Sequence, residues 1–393
     1  MRFQIARVIA LLVLILLVAS CEGGLSSPAA GSNTGNTHIL IEWSDIHFTT
    51  THPYFVPEAW NVAAAQGIAA EPEIVVLGGD ILDDNTGGSE QLFVQFADAF
   101  LPELAATLDQ LGRPAPITLG NEDLYLDYNT DPDVLAVSFA KFRQHLGSRF
   151  YLDGLGNGVF PEPLLGMKWI SVNSVLFSPN NDYEGRAGQA QATFDWLRRE
   201  LLEDPSGPVV ILAHIPPTAD LYNQTAAWNC ADLEQFVSVL SAHPGPILIL
   251  GGHFHRNEVH ALAVPGHEVV PILLAGSTSA KYGNLPNWRT YRWTLRGDGA
   301  LAQVDYDLHY PQNPALDSTW IWSNPFRAST WQDFVETLAL DPVLYRRYGL
   351  DVYSQNASAE QCLSNPVIRE ALLNEVWAPP QPCPPEPGVA CPD

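Results

Sequence analysis

The sequence predicts an α/β fold built on two mixed sheets, with a small helical appendage near the C-terminus. Three observations lead there. Between residues 38 and 250, short apolar runs alternate with longer stretches of helical character, the pattern of strands joined by helices. Five of those runs are closed by Asp, Asn or His, and in open α/β sheets ligands bind beyond the strands' carboxyl ends. After residue 255 the pattern changes to consecutive strand-like runs, which argues for a second sheet.

Residues 1–20 stand apart from that fold. Arg2 and Arg7 make a basic start, and residues 8–19 are apolar but too few to span a bilayer as a stable helix. The segment ends in Val18-Ala19-Ser20-Cys21, which resembles a bacterial lipobox, so Cys21 is expected to be lipidated and to become the first mature residue. The expectation is an exported, membrane-anchored lipoprotein at a periplasmic face or cell surface, touching membrane only through its N-terminal lipid. Residues 21–36, rich in Gly, Ser, Asn and Thr, read as a flexible tether. Loss of residues 1–20 takes the formal charge from −25 to −27. So acidic a chain is a poor partner for nucleic acid, which demands Lys and Arg.

Beyond the tether, residues 38–43 read as a strand followed by Ser44-Asp45-Ile46-His47. A helix over 57–70 leads to a strand at 73–77, closed by Gly78-Gly79-Asp80. A long helix over 90–111 precedes a short strand at 116–119, closed by Gly120-Asn121-Glu122-Asp123. Helix 133–146, strand 167–173 and helix 189–202 follow, then a strand at 208–213 closed by His214-Ile215-Pro216-Pro217. Helix 231–242 leads to the apolar run 247–250 and to Gly251-Gly252-His253-Phe254-His255. Strands are then expected at 258–264, 269–275, 289–295 and 302–307. The main domain is read as 37–325, a helical appendage as 326–377, and a Pro- and Cys-rich tail as 378–393. In the appendage Trp331, Phe334, Leu338, Leu344 and Tyr348 fall at near-helical spacing, which reads as a core-facing stripe.

Without Cys21, Cys230, Cys362, Cys383 and Cys391 remain. An even count in an exported chain suggests disulfides, and the four allow three pairings. Pairing Cys383 with Cys391 would close a short loop and leave Cys230 with Cys362 to tie the tail to the domain.

Residues two apart at a strand end point to the same side, so His253 and His255 face one site, and imidazoles so placed are natural ligands for a divalent metal. Taken in order, Asp45-x-His47, Gly-Asp80, Gly-Asn121, His214 and Gly-His253-x-His255 resemble the signature of the calcineurin-like metallophosphoesterases. That resemblance implies a four-layer α/β/β/α sandwich holding two divalent metal ions, Zn first and Mn or Fe as alternatives. Asp45, His47, Asp80 and His255 would hold one ion. Asp80, Asn121, His214 and His253 would hold the other, with Asp80 bridging. Such a pair clamps a phosphoryl oxygen and acidifies a water, and the resemblance implies that a bridging hydroxide attacks phosphorus in line.

A closer likeness runs over about residues 38–375. His214-Ile215-Pro216-Pro217, Trp196-Leu197, Ala275-Gly276-Ser277 and Asn287-Trp288-Arg289 look like the acid sphingomyelinase-like phosphodiesterases, with endopolyphosphatases as neighbours. It implies a phosphate-ester substrate, a phospholipid or head-group diester among the options. A phosphomonoesterase or polyphosphatase on the same centre is the alternative, as is a metal-binding lipoprotein without catalysis.

Two positions depart from the family pattern. The family's leaving-group acid, a His after the Asn, is Glu122 here, and a His expected four residues after Asp80 is Asp84. A Glu beside two cations should be ionised and a poor acid. Either Glu122 is shielded and keeps its proton, or the leaving group needs little help. Together Glu122 and Asp84 are expected to disfavour polyanions and favour a diester with a good leaving group or a cationic head group. Asp123 is expected to orient Glu122 or a ligand. Tyr282 and Arg289 are read as lying in a loop that borders the cleft, Arg289 either meeting a phosphate oxygen or serving a surface or strand-capping role. Oligomeric state is not legible.

Overall fold

The computed structural model describes residues 36–352, apart from residues 54, 84–85, 162, 221–224, 297–299, 312 and 324. The leader, Cys21, most of the tether, Asp84, Cys362, Cys383 and Cys391 therefore lie outside the described residues. No helix among the described residues is long and apolar enough to cross a membrane.

Two sheets make the middle of the molecule. The first contains β1 (Asn36–Trp43) and β2 (Ile74–Leu77), which run parallel. On the other side of β1, antiparallel, come β11 (Trp288–Leu295), β12 (Leu301–His309) and β13 (Ser318–Ser323), giving the order β13-β12-β11-β1-β2. The second sheet has six strands: β3 (Gly158–Val159), β4 (Lys168–Ser171), β5 (Val209–Leu212), β8 (Ile247–Gly251), β10 (Val270–Leu274) and β9 (Val259–Leu262), in that spatial order. Its centre, β4-β5-β8-β10, is parallel, and both edges are antiparallel. A small ribbon of β6 (Ala219–Asp220) and β7 (Thr225–Ala226) stands outside both.

Period-two alternation decides how the sheets pack. Leu40, Ile74, Val76, Tyr291 and Trp293 of the first sheet meet Trp169, Val210, Leu212, Leu248 and Leu250 of the second in one buried cluster. Trp169 and Trp293 stack across the interface with ring centroids 5.6 Å apart. The opposite faces, with Ile41, Trp43, Val75 and Leu77 on one side and Ile170, Ile211, Ile249 and Ile272 on the other, join a cluster with the helices. Those helices are α1 (Pro57–Ala69), α2 (Glu90–Leu111), α3 (Pro132–Leu146), α4 (Arg186–Glu203) and α5 (Cys230–Leu240). The result is the expected α/β/β/α sandwich. Local chemistry sets helix ends: Ser89 caps α2 through Leu92 N, and Gly112 ends it in the left-handed region at φ 60°.

Besides the short strands β3, β6 and β7, two larger details differ from the sequence reading. The expected strand at 116–119 is reduced to a parallel bridge between Leu77 and Ile117 beside β2. β13 is an addition; its Trp320 and Trp322 are buried while Ile321 between them is 55% exposed, the alternation of an edge strand. α6 (Ala328–Leu340) and α7 (Pro342–Val352) follow, and their Trp331, Leu338 and Tyr348 extend the cluster between the sheets. The aromatic stripe is core. Cys230, at the start of α5, is disulfide-bonded.

Candidate metal centre

β1, β2, β5 and β8 deliver their carboxyl ends to one rim, and the loops there are stitched together by backbone. Asp45 N donates to Gly79 O (2.9 Å), His47 N to Asp80 O (3.0 Å) and Gly252 N to His214 O (3.0 Å). Asp45, His47, Asp80, His253 and His255 all sit at positive φ, between 48° and 71°. A non-glycine residue in that region costs of order 1–3 kcal/mol, and such strain persists where surrounding structure enforces it, often at functional sites. Tyr128 (φ 55°) and Tyr282 (φ 60°) share the feature and stand beside two of these histidines. Glycines make the close approaches possible: a Cβ on Gly120 would stand 1.9 Å from Asp80 Oδ1.

The side chains form two overlapping groups. Asp45, His47, Asp80 and His255 present potential ligand atoms within 4.8 Å of one another, as do Asp80, His214 and His253. Asp80 belongs to both. His47 Nε2 and His255 Nε2 face each other at 2.8 Å. His214 Nδ1 lies 2.8 Å from the Gly78 carbonyl and its Nε2 lies 3.1 Å from Asp80 Oδ2, while Asn121 Oδ1 is buried without a hydrogen-bond partner among the described residues. Asn121 Nδ2 donates to Asp127 at 2.8 Å, which leaves the amide oxygen as the free end. A buried acceptor without a partner is costly, and a cation would satisfy the Asn121 oxygen. Shared carboxylate, imidazole and amide oxygen fit first-row divalent ions.

The charges are strongly coupled. Burial works against ionising Asp45, yet His255, His47 and His214 draw it well below the carboxylate range. Burial also opposes a charge on His214, and Asp80 and Asp45 outweigh it, lifting His214 to about 9. His253, with burial and His214 acting together, is pushed down to about 4.

Glu122 is neither shielded from charge nor pointed to solvent. Its carboxylate accepts from His47 Nδ1 at 2.9 Å and from the ammonium of Lys281, whose Nζ is 2.5 Å from Oε2 and also contacts Oε1. Burial would raise the Glu122 carboxyl, but His47 and Lys281 hold it well below its usual range. Contacts to both oxygens favour the ionised carboxylate. Its charge is moreover matched by Lys281, which weakens the expectation that Glu122 repels polyanions. Asp123 does not orient Glu122 by a side-chain bond. Its carboxylate accepts from the backbone of Ile81 (2.9 Å), Leu82 (3.0 Å) and Gly120 (2.9 Å), tying the Asp80 loop to the Asn121 loop. Burial and Asp80 push it up to about 7.

The two cleft residues part company. Tyr282 is 69% exposed, with its ring centroid 5.0 Å from that of His255. Arg289 is 0% exposed and corrects the sequence reading. Its guanidinium donates to Asn257 Oδ1 (3.1 Å) and Tyr291 OH (3.3 Å) and lies 4.1 Å from the centroid of the Tyr306 ring, so it has no access to a substrate phosphate. Its phase with Tyr291 and Trp293 on β11 is the signal that it faces inward.

Three further residues join the site without a sequence signal: Asp83, Lys281 and Tyr128, whose hydroxyl is 3.3 Å from His253 Nε2. Asp83 and Lys281 occupy no recognisable motif. Tyr128 lies in the loop after Asn121, and nothing in its sequence neighbourhood marks it.

The sequence model of the calcineurin-like phosphoesterase family matches residues 43–257. Among solved structures, the fold is similar to that of a dimetal phosphatase from Danio rerio. That alignment has 16% identity and a TM-score of 0.50, covering 72% of this chain and 98% of that one. A second solved structure aligns at 10% identity with a TM-score of 0.42, over 66% of this chain and 95% of that one. No curated protein matches.

Proposed function

The chain belongs to the calcineurin-like phosphoesterase family, and from that premise we propose that it is a metal-dependent phosphodiesterase, sphingomyelinase-like in the kind of ester it takes. The observation that carries the metal centre is the pair of ligand groups meeting at Asp80, with Asn121 Oδ1 buried and unmatched beside them. Asp45, His47, Asp80 and His255 would hold one ion, and Asp80, Asn121, His214 and His253 the other. Bound ions supply the charge that draws phosphoryl oxygens and acidifies water. The chain itself holds the imidazoles in place and keeps their outer nitrogens occupied, as Gly78 does for His214 and Glu122 for His47.

Preference for a diester rests on charge. A monoester dianion calls for extra cations around the phosphate, and Lys281, Arg256 and Arg289 are spent internally. Lys281 pairs with Glu122 and Asp83, Arg256 with Glu258 and Asp220, and Arg289 is enclosed by Asn257, Tyr291 and Tyr306. A singly charged diester fits that supply. Tyr282, exposed beside His255, offers an aromatic face to an apolar or cationic head group. Export and anchoring through Cys21 belong to the same reading and rest on the leader sequence alone.

The test compares hydrolysis of bis(p-nitrophenyl) phosphate with p-nitrophenyl phosphate by the purified chain loaded with Zn or Mn. Faster diester hydrolysis, lost in His214→Ala, is the expected result. Monoester preference would move the assignment to a phosphatase. Bound metal without turnover of either ester would favour a binding protein.

A further inference from the structure

A third group of ligand-type side chains lies directly behind the first: His47, Asp83 and Glu122, all buried, with potential ligand atoms within 4.8 Å of one another. Such a cluster beside two expected metal ions would ordinarily draw a cation of its own or collapse onto the metals. Here a cation is already seated in it. Lys281 Nζ stands 2.5 Å from Glu122 Oε2 and 3.4 Å from Asp83 Oδ2, and the residue is 6% exposed. The same Glu122 oxygen accepts from His47 Nδ1 at 2.9 Å, and Asp83 Oδ2 lies 3.6 Å from that nitrogen.

We infer that Lys281 is a tethered third cation, which takes the place of an ion in the His47–Asp83–Glu122 cage and holds Glu122 on His47 Nδ1, off the two metals. The inference rests on the binuclear reading above and concerns what surrounds that centre. Lys281 is a positioning residue in this scheme, acting on His47 through Glu122. An ammonium suits the task better than a metal. It bonds to both carboxylates, offsetting one of their two charges, without competing for the imidazole nitrogen that Glu122 needs as a donor. It is also delivered by the chain, so the cage is filled whatever ions are present. The short helical turn at Lys281–Gly283 fixes it, with Tyr282 in a left-handed conformation at its centre.

The experiment counts bound Mn by equilibrium dialysis and by the manganese paramagnetic signal, in the full chain and its variants. Wild type is expected to bind two equivalents. Lys281→Ala should bind a third, more weakly, and the double variant Lys281→Ala/Glu122→Gln should return to two. Lys281→Arg, which keeps the charge, should stay at two. If Lys281→Ala folds only with excess Mn while the double variant folds without it, the same conclusion follows. Two equivalents in Lys281→Ala, with thermal stability depending on Mn just as in wild type, would overturn the inference. A wild type that binds no Mn or Zn would instead remove the binuclear reading, so the failures are separable.

Discussion

Asp80 Oδ2 stands 3.1 Å from His214 Nε2, although Asp80 closes a strand of the first sheet and His214 a strand of the second. The centre is thus assembled from both layers of the sandwich, and Asp80 is the residue its two ligand groups share. Different losses are expected from the two positions. Asp80→Ala should remove both metal equivalents and reduce turnover by more than about 100-fold, since even groups behind a ligand cost 10–100-fold. His214→Ala should retain one equivalent. Metal content by atomic emission after gel filtration separates them, and equal losses in both variants would contradict a bridging Asp80.

Gly120 is defined by the same carboxylate. Its Cβ would fall 1.9 Å from Asp80 Oδ1 and 2.6 Å from Asp80 N, so neither side chain nor backbone has room for it. Gly120→Ala should displace Asp80, lower metal affinity and depress Tm. Gly188, in α4 with open space around it, is the control. Gly188→Ala should raise stability by about 0.5–1 kcal/mol through helix propensity. Thermal unfolding with and without metal reads both.

Away from the metals, Glu258 provides a pH test. It is fully buried, accepts from Arg256 Nε at 2.6 Å and lies 2.7 Å from His260 Nε2. Burial alone would raise its carboxyl, but Arg256 and His260 bring it below the ordinary value of 4.5. A carboxylate depressed in the fold contributes stability that is present above its unfolded value and is lost as pH falls through the folded one. Below pH 4.5, wild type should therefore lose Tm more steeply than Glu258→Gln. At pH 7 the variant should be less stable by about 1.5–3 kcal/mol, because Arg256 loses a charged hydrogen-bond partner and keeps Asp220. Parallel Tm curves for the two proteins from pH 3 to 7 would rule this account out.

The ligand groups are legible because each follows an apolar strand at short fixed spacing, so Asp45, Asp80, His214 and His253 announce themselves locally. Lys281 pairs with Glu122 across 159 positions, and no local pattern encodes such a pair. The sandwich is legible for the same reason as the ligands: strands that alternate with helices have few ways to pack. β13 is not, because Ser318–Ser323 is a short edge strand whose pairing with β12 depends on tertiary context. Arg289 is misplaced by motif reasoning that ignores strand phase. Its alternation with Tyr291 and Trp293 points inward.

Glu122 leads to the last prediction. Both of its oxygens accept, from Lys281 and, at Oε2, from His47 as well, so the carboxylate has no proton positioned for a departing alcohol. A leaving group must then depart with little proton transfer from that position, and its own acidity should govern the rate. Across a series of methyl aryl and methyl alkyl phosphodiesters, turnover should fall steeply as leaving-group pKa rises. Glu122→Gln should leave that slope unchanged while weakening metal binding by about 10–100-fold, the effect expected of a group that orients a ligand. A shallow slope in wild type that steepens in Glu122→Gln would show instead that Glu122 delivers a proton, and would return it to the role its position in the family pattern suggests.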